Sequence, residues 1–264
     1  MMFLTILRME IYMINVIMVG CNGKMGQVIS DIIKNDDAVT MVAGVDLFDG
    51  GHNDYPVYKK IYEVQESADV IIDSSNPASL DDILEYAVRT QIPAVMCSTG
   101  YSADEIEKIN DASKKVAILR SGNMSLGINT MVKVMKAVTK VLTDAGFDVE
   151  IVDRHHNQKI DAPSGTAIML ADAVNAEVNN EYDYVYDRSQ VREKRTKKEI
   201  GISAVRGGSI VGEHEIIFAG RDEVLEFKHT AYSKAIFGKG AVQAAKFLKG
   251  QPAGMYSMKE VLGE

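Results

Sequence analysis

Residues 14–34 read INVIMVGCNGKMGQVISDIIK, and the reading of this stretch decides the fold. Ile14 to Val19 is a short, nearly unbroken apolar run that stops at a glycine-rich turn, the pattern of a strand buried on both faces. Beyond the turn, Met25, Val28, Ile29, Ile32 and Ile33 fall at i, i+3, i+4, i+7 and i+8, so a helix turns one apolar stripe toward a sheet. Gly20, Gly23 and Gly26 stand three apart between them. The first permits a tight turn, the second lets main chain approach a pyrophosphate, and the third allows close helix-to-strand packing, while free N–H groups face the anion. Asp46 lies 20 residues past Gly26, at the end of a second strand over Val39 to Val45. A carboxylate there accepts hydrogen bonds from both adenine-ribose hydroxyls. Gly20, Cys21, Asn22, Gly23, Lys24, Met25, Gly26 and Asp46 therefore predict a dinucleotide site. A 2′-phosphate would meet Asp46 head on, and Leu47 stands where an arginine would clasp it, which favours NADH. Lys24 offers an offsetting charge, so NADPH stays open as the alternative.

Working outward, Val70 to Asp73 reads as a strand, and Leu80, Ile83, Leu84, Ala87 and Val88 repeat the helical stripe. Residues 92–96 form the next strand, Ser102 with Glu105 makes a capping box opening a helix, and residues 116–119 close the series. Strands alternating with helices imply parallel pairing and right-handed crossovers, hence a Rossmann-type, doubly wound α/β sheet. From Leu126 the texture changes. A long helix carries Ile128, Met131, Val132, Met135, Val138 and Leu142, and a strand follows over residues 147–152. After a polar stretch at 179–199, the segments 200–205, 215–219 and 224–229 are short and partly alternating, as in a sheet with one covered face. A second, α+β domain built on a mixed sheet is expected. A terminal helix over residues 240–248 returns to the first domain, giving 1–126 plus 237–264 for dinucleotide binding and 127–236 for substrate binding and oligomerisation. No internal repeat is visible.

Composition agrees with two domains. In 264 residues, 46% are hydrophobic and 25% charged, the balance of a globular chain. Thirty-seven acids against 29 bases give a net charge of -8, with a pI near 5.2, which disfavours nucleic acid as the partner and favours a small ligand. The basic run at 192–198 is diluted by Glu193 and Glu199 and reads as a solvated loop. Cys21 and Cys97 are too few for a disulfide framework or a Cys-rich zinc site, in keeping with a reducing cytoplasm. Arg8 and Glu10 interrupt the apolar tip, so no signal peptide is expected, and natural translation is expected to start at Met13. No stretch approaches the roughly 18 uncharged apolar residues of a membrane span, so no membrane partner is expected.

A second constellation runs from Asp153 to Ala167, DRHHNQKIDAPSGTA. Ser164, Gly165 and Thr166 open a helix whose Ile168, Ala171, Val174 and Val178 keep helical spacing, so their N–H groups and hydroxyls can hold a carboxylate at the positive helix end. His155 and Lys159 precede that anion site. The first titrates near neutral pH and the second supplies positive charge. Histidines side by side in extended chain point apart, and no Cys, Asp or Glu partner sits at a zinc spacing, so no metal is expected. His214, in GEH, reads by default as a structural hydrogen-bonding residue.

With GCNGKMG at Gly20, CSTGYS at Cys97, GNMSLG at Gly122, GGSIVGEH at Gly207 and the closing GKGAVQAAKFL, this string resembles the 4-hydroxy-tetrahydrodipicolinate reductases, also called dihydrodipicolinate reductases. The resemblance runs from Met13 to the C-terminus. It implies that His155 is the general acid/base and Lys159 the proton donor, while His156, the Ser164–Thr166 backbone and Lys234 hold a small dicarboxylate. It implies further that Cys97, Ser98 and Thr99, with Ser121, Gly122, Asn123 and Met124, line the nicotinamide side of the site. Lys234 stands where the family often has arginine, which keeps a point charge and loses a two-pronged grip. Cys97 stands where glycine is common. The implied reaction is loss of water from a cyclic hydroxy-imine and reduction by NADH or NADPH on the diaminopimelate route to lysine. A homotetramer assembled through the second domain's sheet, and closure about hinges near Gly127 and Ile236, are implied as well. The rival readings are another two-domain amino- or oxo-acid dehydrogenase and a non-catalytic dinucleotide sensor. The HHNQK string argues against the first, and intact His155 and Lys159 against the second.

Overall fold

The computed structural model describes residues 13–48, 53–190 and 192–263. The expectations for the N-terminal tip and for a start at Met13 concern residues 1–12, outside the described residues. The chain divides into two compact units, 1–121 with 238–257 and 122–237 with 258–264.

The first unit is built on a seven-stranded parallel sheet. β1 (Ile14–Val19) lies between β2 (Val39–Val45) and β4 (Val70–Asp73). β3 (Val57–Tyr58) extends the β2 side, and β5 (Ala94–Met96), β6 (Ala117–Arg120) and β12 (Gly254–Tyr256) extend the β4 side. The strand order reverses direction at β1, and in such sheets the crevice beyond the strand ends at that point receives the ligand. α1 (Lys24–Lys34), α2 (Leu80–Thr90) and α3 (Ala103–Ser113) supply the crossovers. Ile17, Ile71, Ile83, Ile109 and Ile118 are all buried, as continuous apolar strands require when both faces are covered. The capping box opening α3 is present, with Ser102 N donating to Glu105 at 2.7 Å and Glu105 N donating to Ser102 Oγ at 3.3 Å.

The second unit carries a mixed five-stranded sheet in the order β11-β10-β7-β9-β8. Its strands are β7 (Asp148–His155), β8 (Asp183–Val185), β9 (Glu199–Arg206), β10 (Gly212–Ala219) and β11 (Val224–Ala231). β10 pairs antiparallel with β7 and β11, whereas β9 pairs parallel with β7 and β8. α4 (Leu126–Asp144) and α5 (Gly165–Ala176) pack Met131, Met135, Leu170 and Val174 onto Val149, Ile151, Ile202, Ile216 and Phe218. Emptying the space of a side chain such as Phe218 costs about 3–5 kcal/mol, so this layer fixes the frame from which the site residues project. Among the described residues no helix is long and apolar enough to cross a membrane.

Several boundaries differ from the expectation. The strand expected over 147–152 continues to His155, because its inward positions go on with Asp153 and His155, polar groups that find partners indoors. The terminal helix α6 begins at Ala235 rather than 240. The units part after Ser121 and Phe237, and residues 258–264, expected in the first domain, group with the second. There α7 (Met258–Val261) packs on α4, and Lys133 Nζ donates to the carbonyl of Leu262 at 3.0 Å. β3, β8 and β12 escape the sequence because two or three residues carry no periodicity.

Candidate active site

Two sites emerge, one in each unit. In the first, the glycine turn joins β1 to α1. Gly20 has φ +78, and a Cβ on Gly26 would lie 2.1 Å from the carbonyl oxygen of Gly20 and 2.8 Å from Cys21, so only glycine fits at the last position. Gly23 caps α1 without any side chain on its first N–H groups, which leaves them for an anion. Asp46 is fixed at the end of β2, its Oδ2 accepting from Asn22 N at 2.9 Å and its Oδ1 from Phe48 N at 3.0 Å. Gly20, Asn22, Gly23, Asp46, Leu47 and Lys59 line a cavity of about 510 Å³. Lys24 stands exposed at the start of α1, Met25 is half-buried beside it and Cys21 is buried. This cradle fits a dinucleotide: unclaimed helix-start N–H groups for the pyrophosphate and a fixed carboxylate for the ribose hydroxyls.

Asp73, which sequence reasoning passed over, closes β4 beside this turn and is fully buried. Its Oδ1 accepts from Ser75 N at 3.0 Å and also from Ser75 Oγ, and its Oδ2 accepts from Tyr101 OH at 3.2 Å. Its own carbonyl accepts from Cys97 N at 2.8 Å. Burial raises its carboxyl above the usual range, against the pull of those donors. Burial, with Asp73 beside it, also pushes the Cys97 thiol up, which disfavours the thiolate. Ser98 and Thr99 follow it in the β5–α3 loop.

In the second unit the centre is Asp153, again missed by sequence reasoning and fully buried. Its Oδ2 accepts from Ser164 N at 2.8 Å and from Arg206 Nη2 at 3.0 Å. Its Oδ1 lies 2.7 Å from His155 Nδ1 and 3.5 Å from His214 Nε2. The 2.7 Å approach is close in distance but out of line for an N–H hydrogen bond. Burial alone would raise the Asp153 carboxyl; the Ser164 N–H, the Arg206 guanidinium and the His155 ring outweigh it and hold it below its usual value. Burial pulls His155 below the usual imidazole value, Asp153 opposes, and Lys159 and Arg206 push the same way as burial. Lys159 itself is paired through Nζ to Asp161 Oδ1 at 2.8 Å, a partner the sequence reading did not weigh.

Ser164 faces inward, unlike the expectation that its N–H and hydroxyl meet the ligand. Its N–H is spent on Asp153, and its Oγ accepts from Ala167 N at 3.2 Å as the cap of α5 and lies 3.1 Å from His214 Nε2. The N–H groups of Gly165 and Thr166 have no carbonyl within the helix to bond, and that of Gly165 is within reach of the Asp161 carboxylate. Asn123, expected on the nicotinamide side, donates from Nδ2 to Thr166 Oγ1 at 3.0 Å, so it is tied to the same helix start. Gly122 opens onto free space and Met124 is buried. His156, just past the end of β7, with Asn157, Gln158, Ser209 and Lys234 lines a cavity of about 380 Å³.

Asp153, His155 and His214 each put one ligand-type atom within 4.8 Å of the others, a grouping hidden from the sequence because His214 lies far along the chain. The Arg206 guanidinium already occupies that carboxylate, so a divalent ion would have to enter beside a fixed cation. The sequence signal for Asp153 was the strand phase itself: Val149, Ile151, Asp153 and His155 share one face, so two polar residues had to be indoors.

Comparison with known proteins places both units. The family model for dihydrodipicolinate reductase, N-terminus, matches residues 14–124, and that for dihydrodipicolinate reductase, C-terminus, matches 127–262. A 4-hydroxy-tetrahydrodipicolinate reductase of Clostridium tetani is 46% identical over 251 residues, 95% of this chain and 98% of the relative. One from Caldanaerobacter subterraneus is 48% identical over 250 residues, again 95% and 98%. Among solved structures, a dipicolinate-bound dihydrodipicolinate reductase from Paenisporosarcina sp. TG-14 superposes with a TM-score of 0.76 at 24% identity, covering 93% of this chain and 97% of that one, which supports the fold.

Proposed function

The chain belongs to the dihydrodipicolinate reductase family, and we propose for its reaction the residue roles that follow. The reaction is the NAD(P)H-dependent reduction of 4-hydroxy-tetrahydrodipicolinate to tetrahydrodipicolinate with loss of water, in diaminopimelate and lysine biosynthesis. The near full-length match to curated reductases carries this conclusion.

The turn from Gly20 to Gly26 and Asp46 hold the dinucleotide, and bound NAD(P)H supplies the hydride. Asp46 favours NADH because its carboxylate repels a 2′-phosphate, and exposed Leu47 offers that group no grip. Cys97, Ser98, Thr99, Ser121, Gly122, Asn123 and Met124 serve the nicotinamide side. In the second unit, the Gly165 and Thr166 N–H groups take one substrate carboxylate at the start of α5, with Ser164 holding that start in place. Lys234 and His156 take the other carboxylate in their shared cavity.

Lys159, steadied by Asp161, sets positive charge against the ring nitrogen as electrons move toward it, and donates the proton that ends there. His155 is the general acid/base. In the free site burial, Lys159 and Arg206 favour its neutral form against the pull of Asp153; two incoming carboxylates reverse that balance and charge the ring as substrate binds. No metal takes part in this scheme. The face of the mixed sheet opposite α4 and α5 exposes Ser203, Val205, Val224, Glu226 and Lys228, and it is the surface through which a homotetramer forms. The enzyme works in the cytoplasm, without nucleic acid or membrane partners.

The test is absorbance at the NADH band after adding enzymatically generated hydroxy-tetrahydrodipicolinate, with an ordinary 2-oxo acid as control. Consumption only with the first is expected. Consumption only with the oxo acid, or with neither, would overturn the reading.

A further inference from the structure

A carboxylate set among core aliphatics is costly unless its oxygens are used. Asp153 shares the inward face of β7 with Val149 and Ile151; its Oδ2 is hydrogen-bonded twice, and its Oδ1 is held by proximity to imidazoles. Oδ2 holds the start of α5 through Ser164 N and takes Arg206 from β9, while Oδ1 meets two imidazoles, His155 Nδ1 and His214 Nε2. His214 is the residue directly opposite Asp153 on β10, and Arg206 is the one opposite His155 on β9. The two imidazoles stand edge to face, 5.2 Å apart at 71°. A Cβ on Gly212 would lie 3.1 Å from His155 Nε2, so a side chain there would press on the ring. A proton on His214 Nε2 is given to Ser164 Oγ at 3.1 Å, and the same nitrogen stands 3.5 Å from Asp153 Oδ1.

We propose that Asp153 and His214 are positioning residues, Asp153 fixing the tautomer and orientation of His155 and His214 tying that carboxylate to the cap of the helix start that holds substrate. The inference rests on the reading of His155 as the general acid/base. A carboxylate at Nδ1 keeps the proton there and leaves Nε2 as the nitrogen that exchanges it. The out-of-line Nδ1–Oδ1 contact has the geometry that catalytic hydrogen bonds often show before substrate tightens them. One carboxylate thus couples two tasks, aiming the acid/base and aiming the anion site, which explains why a charge is kept in this core. The groups facing His155 are Asp153 from its own strand, Arg206 from β9, His214 from β10 and Lys159 from the following loop. Among them only Asp153 favours the charged ring.

Asp153→Asn keeps the volume and an acceptor for Ser164 N while removing the charge. Loss of such a partner is expected to lower kcat about 10- to 100-fold and to move the alkaline limb of kcat/KM, where His155 loses its proton, to lower pH. The double variant Asp153→Asn, His155→Ala is expected to be no slower than His155→Ala, because Asp153 acts through His155. An unmoved limb, or losses that multiply in the double variant, overturns the inference. Nitrogen NMR of wild-type protein labelled at histidine decides the case even if Asp153→Asn fails to fold: His155 is expected as the Nδ1–H tautomer with Nε2 titrating, and the Nε2–H tautomer overturns it. His214→Leu is expected to raise KM for the dicarboxylate by about 10-fold with the limb unmoved; an unchanged KM removes His214 from the scheme. If His155→Ala retains full turnover, the acid/base reading itself has failed. If His155→Ala is inactive and the other signatures are missing, the positioning inference alone has failed.

Discussion

Lowering the pH from about 7.5 to about 5 puts the buried imidazole of His214 under strain in a way that can be measured. Burial, with His155, His229 and Lys159 pushing the same way and Asp153 opposing, holds the folded His214 at about 4. In the unfolded chain the same ring titrates near about 6.5. As pH falls through that value the unfolded state takes up a proton that the folded state refuses. The stability is therefore fully present above about 6.5 and lost progressively down to about 4. The gap is worth about 3 kcal/mol in all, of which about 2 kcal/mol is lost by about pH 5. Asp153, held below its usual value, stays ionised across this window and does not confuse the reading. His214→Gln keeps a donor for Ser164 Oγ and cannot titrate. Urea unfolding of both proteins at the two pH values, at fixed ionic strength, gives the comparison. His155 and His229, also below the usual value, weaken both proteins on acidification, so the difference between the two slopes isolates His214. The wild type is expected to lose about 2 kcal/mol more than the variant. Parallel losses would refute the claim that His214 is buried as a neutral ring.

Gly26→Ala drives a methyl group to 2.1 Å from the Gly20 carbonyl; the strain is expected to cost about 1–3 kcal/mol of stability and to weaken NADH binding by fluorescence titration, and an unchanged Kd would show the turn has slack. Asp46→Ala is expected to lower kcat/KM for NADH relative to NADPH by about 10-fold, about 1.4 kcal/mol; an unmoved ratio would remove Asp46 from cofactor choice. Binding of pyridine-2,6-dicarboxylate near pH 7 is expected to take up protons, because two carboxylates raise the depressed His155. Calorimetry in buffers of different ionisation enthalpy reads that uptake, and a binding heat independent of buffer would contradict it.

Much of this molecule was legible because chemistry and local geometry coincide. The glycine turn, the stripe from Met25 to Ile33 and the capping box at Ser102 are each written within a few consecutive residues. His155, Lys159 and the start of α5 are likewise one short string. What the sequence concealed depends on pairing across strands. His214 meets Asp153 only because β10 runs antiparallel to β7 in that register, and Arg206 meets His155 only through β9. The position of Ser164 at a helix start is visible locally and points it outward, whereas the carboxylate that claims its N–H belongs to the preceding strand. Asp73 reads locally as a strand end, since nothing in its neighbours announces that Tyr101 returns to it across 28 residues.

The central claim is that His155 and Lys159 act on the reaction and not on the cofactor's hold. Single-turnover reduction of hydroxy-tetrahydrodipicolinate by His155→Ala and Lys159→Ala, alongside the NADH Kd of each, tests it most directly. Turnover is expected to fall about 10²- to 10⁴-fold with NADH affinity nearly unchanged. A large loss of NADH binding together with intact turnover at saturating cofactor would contradict it.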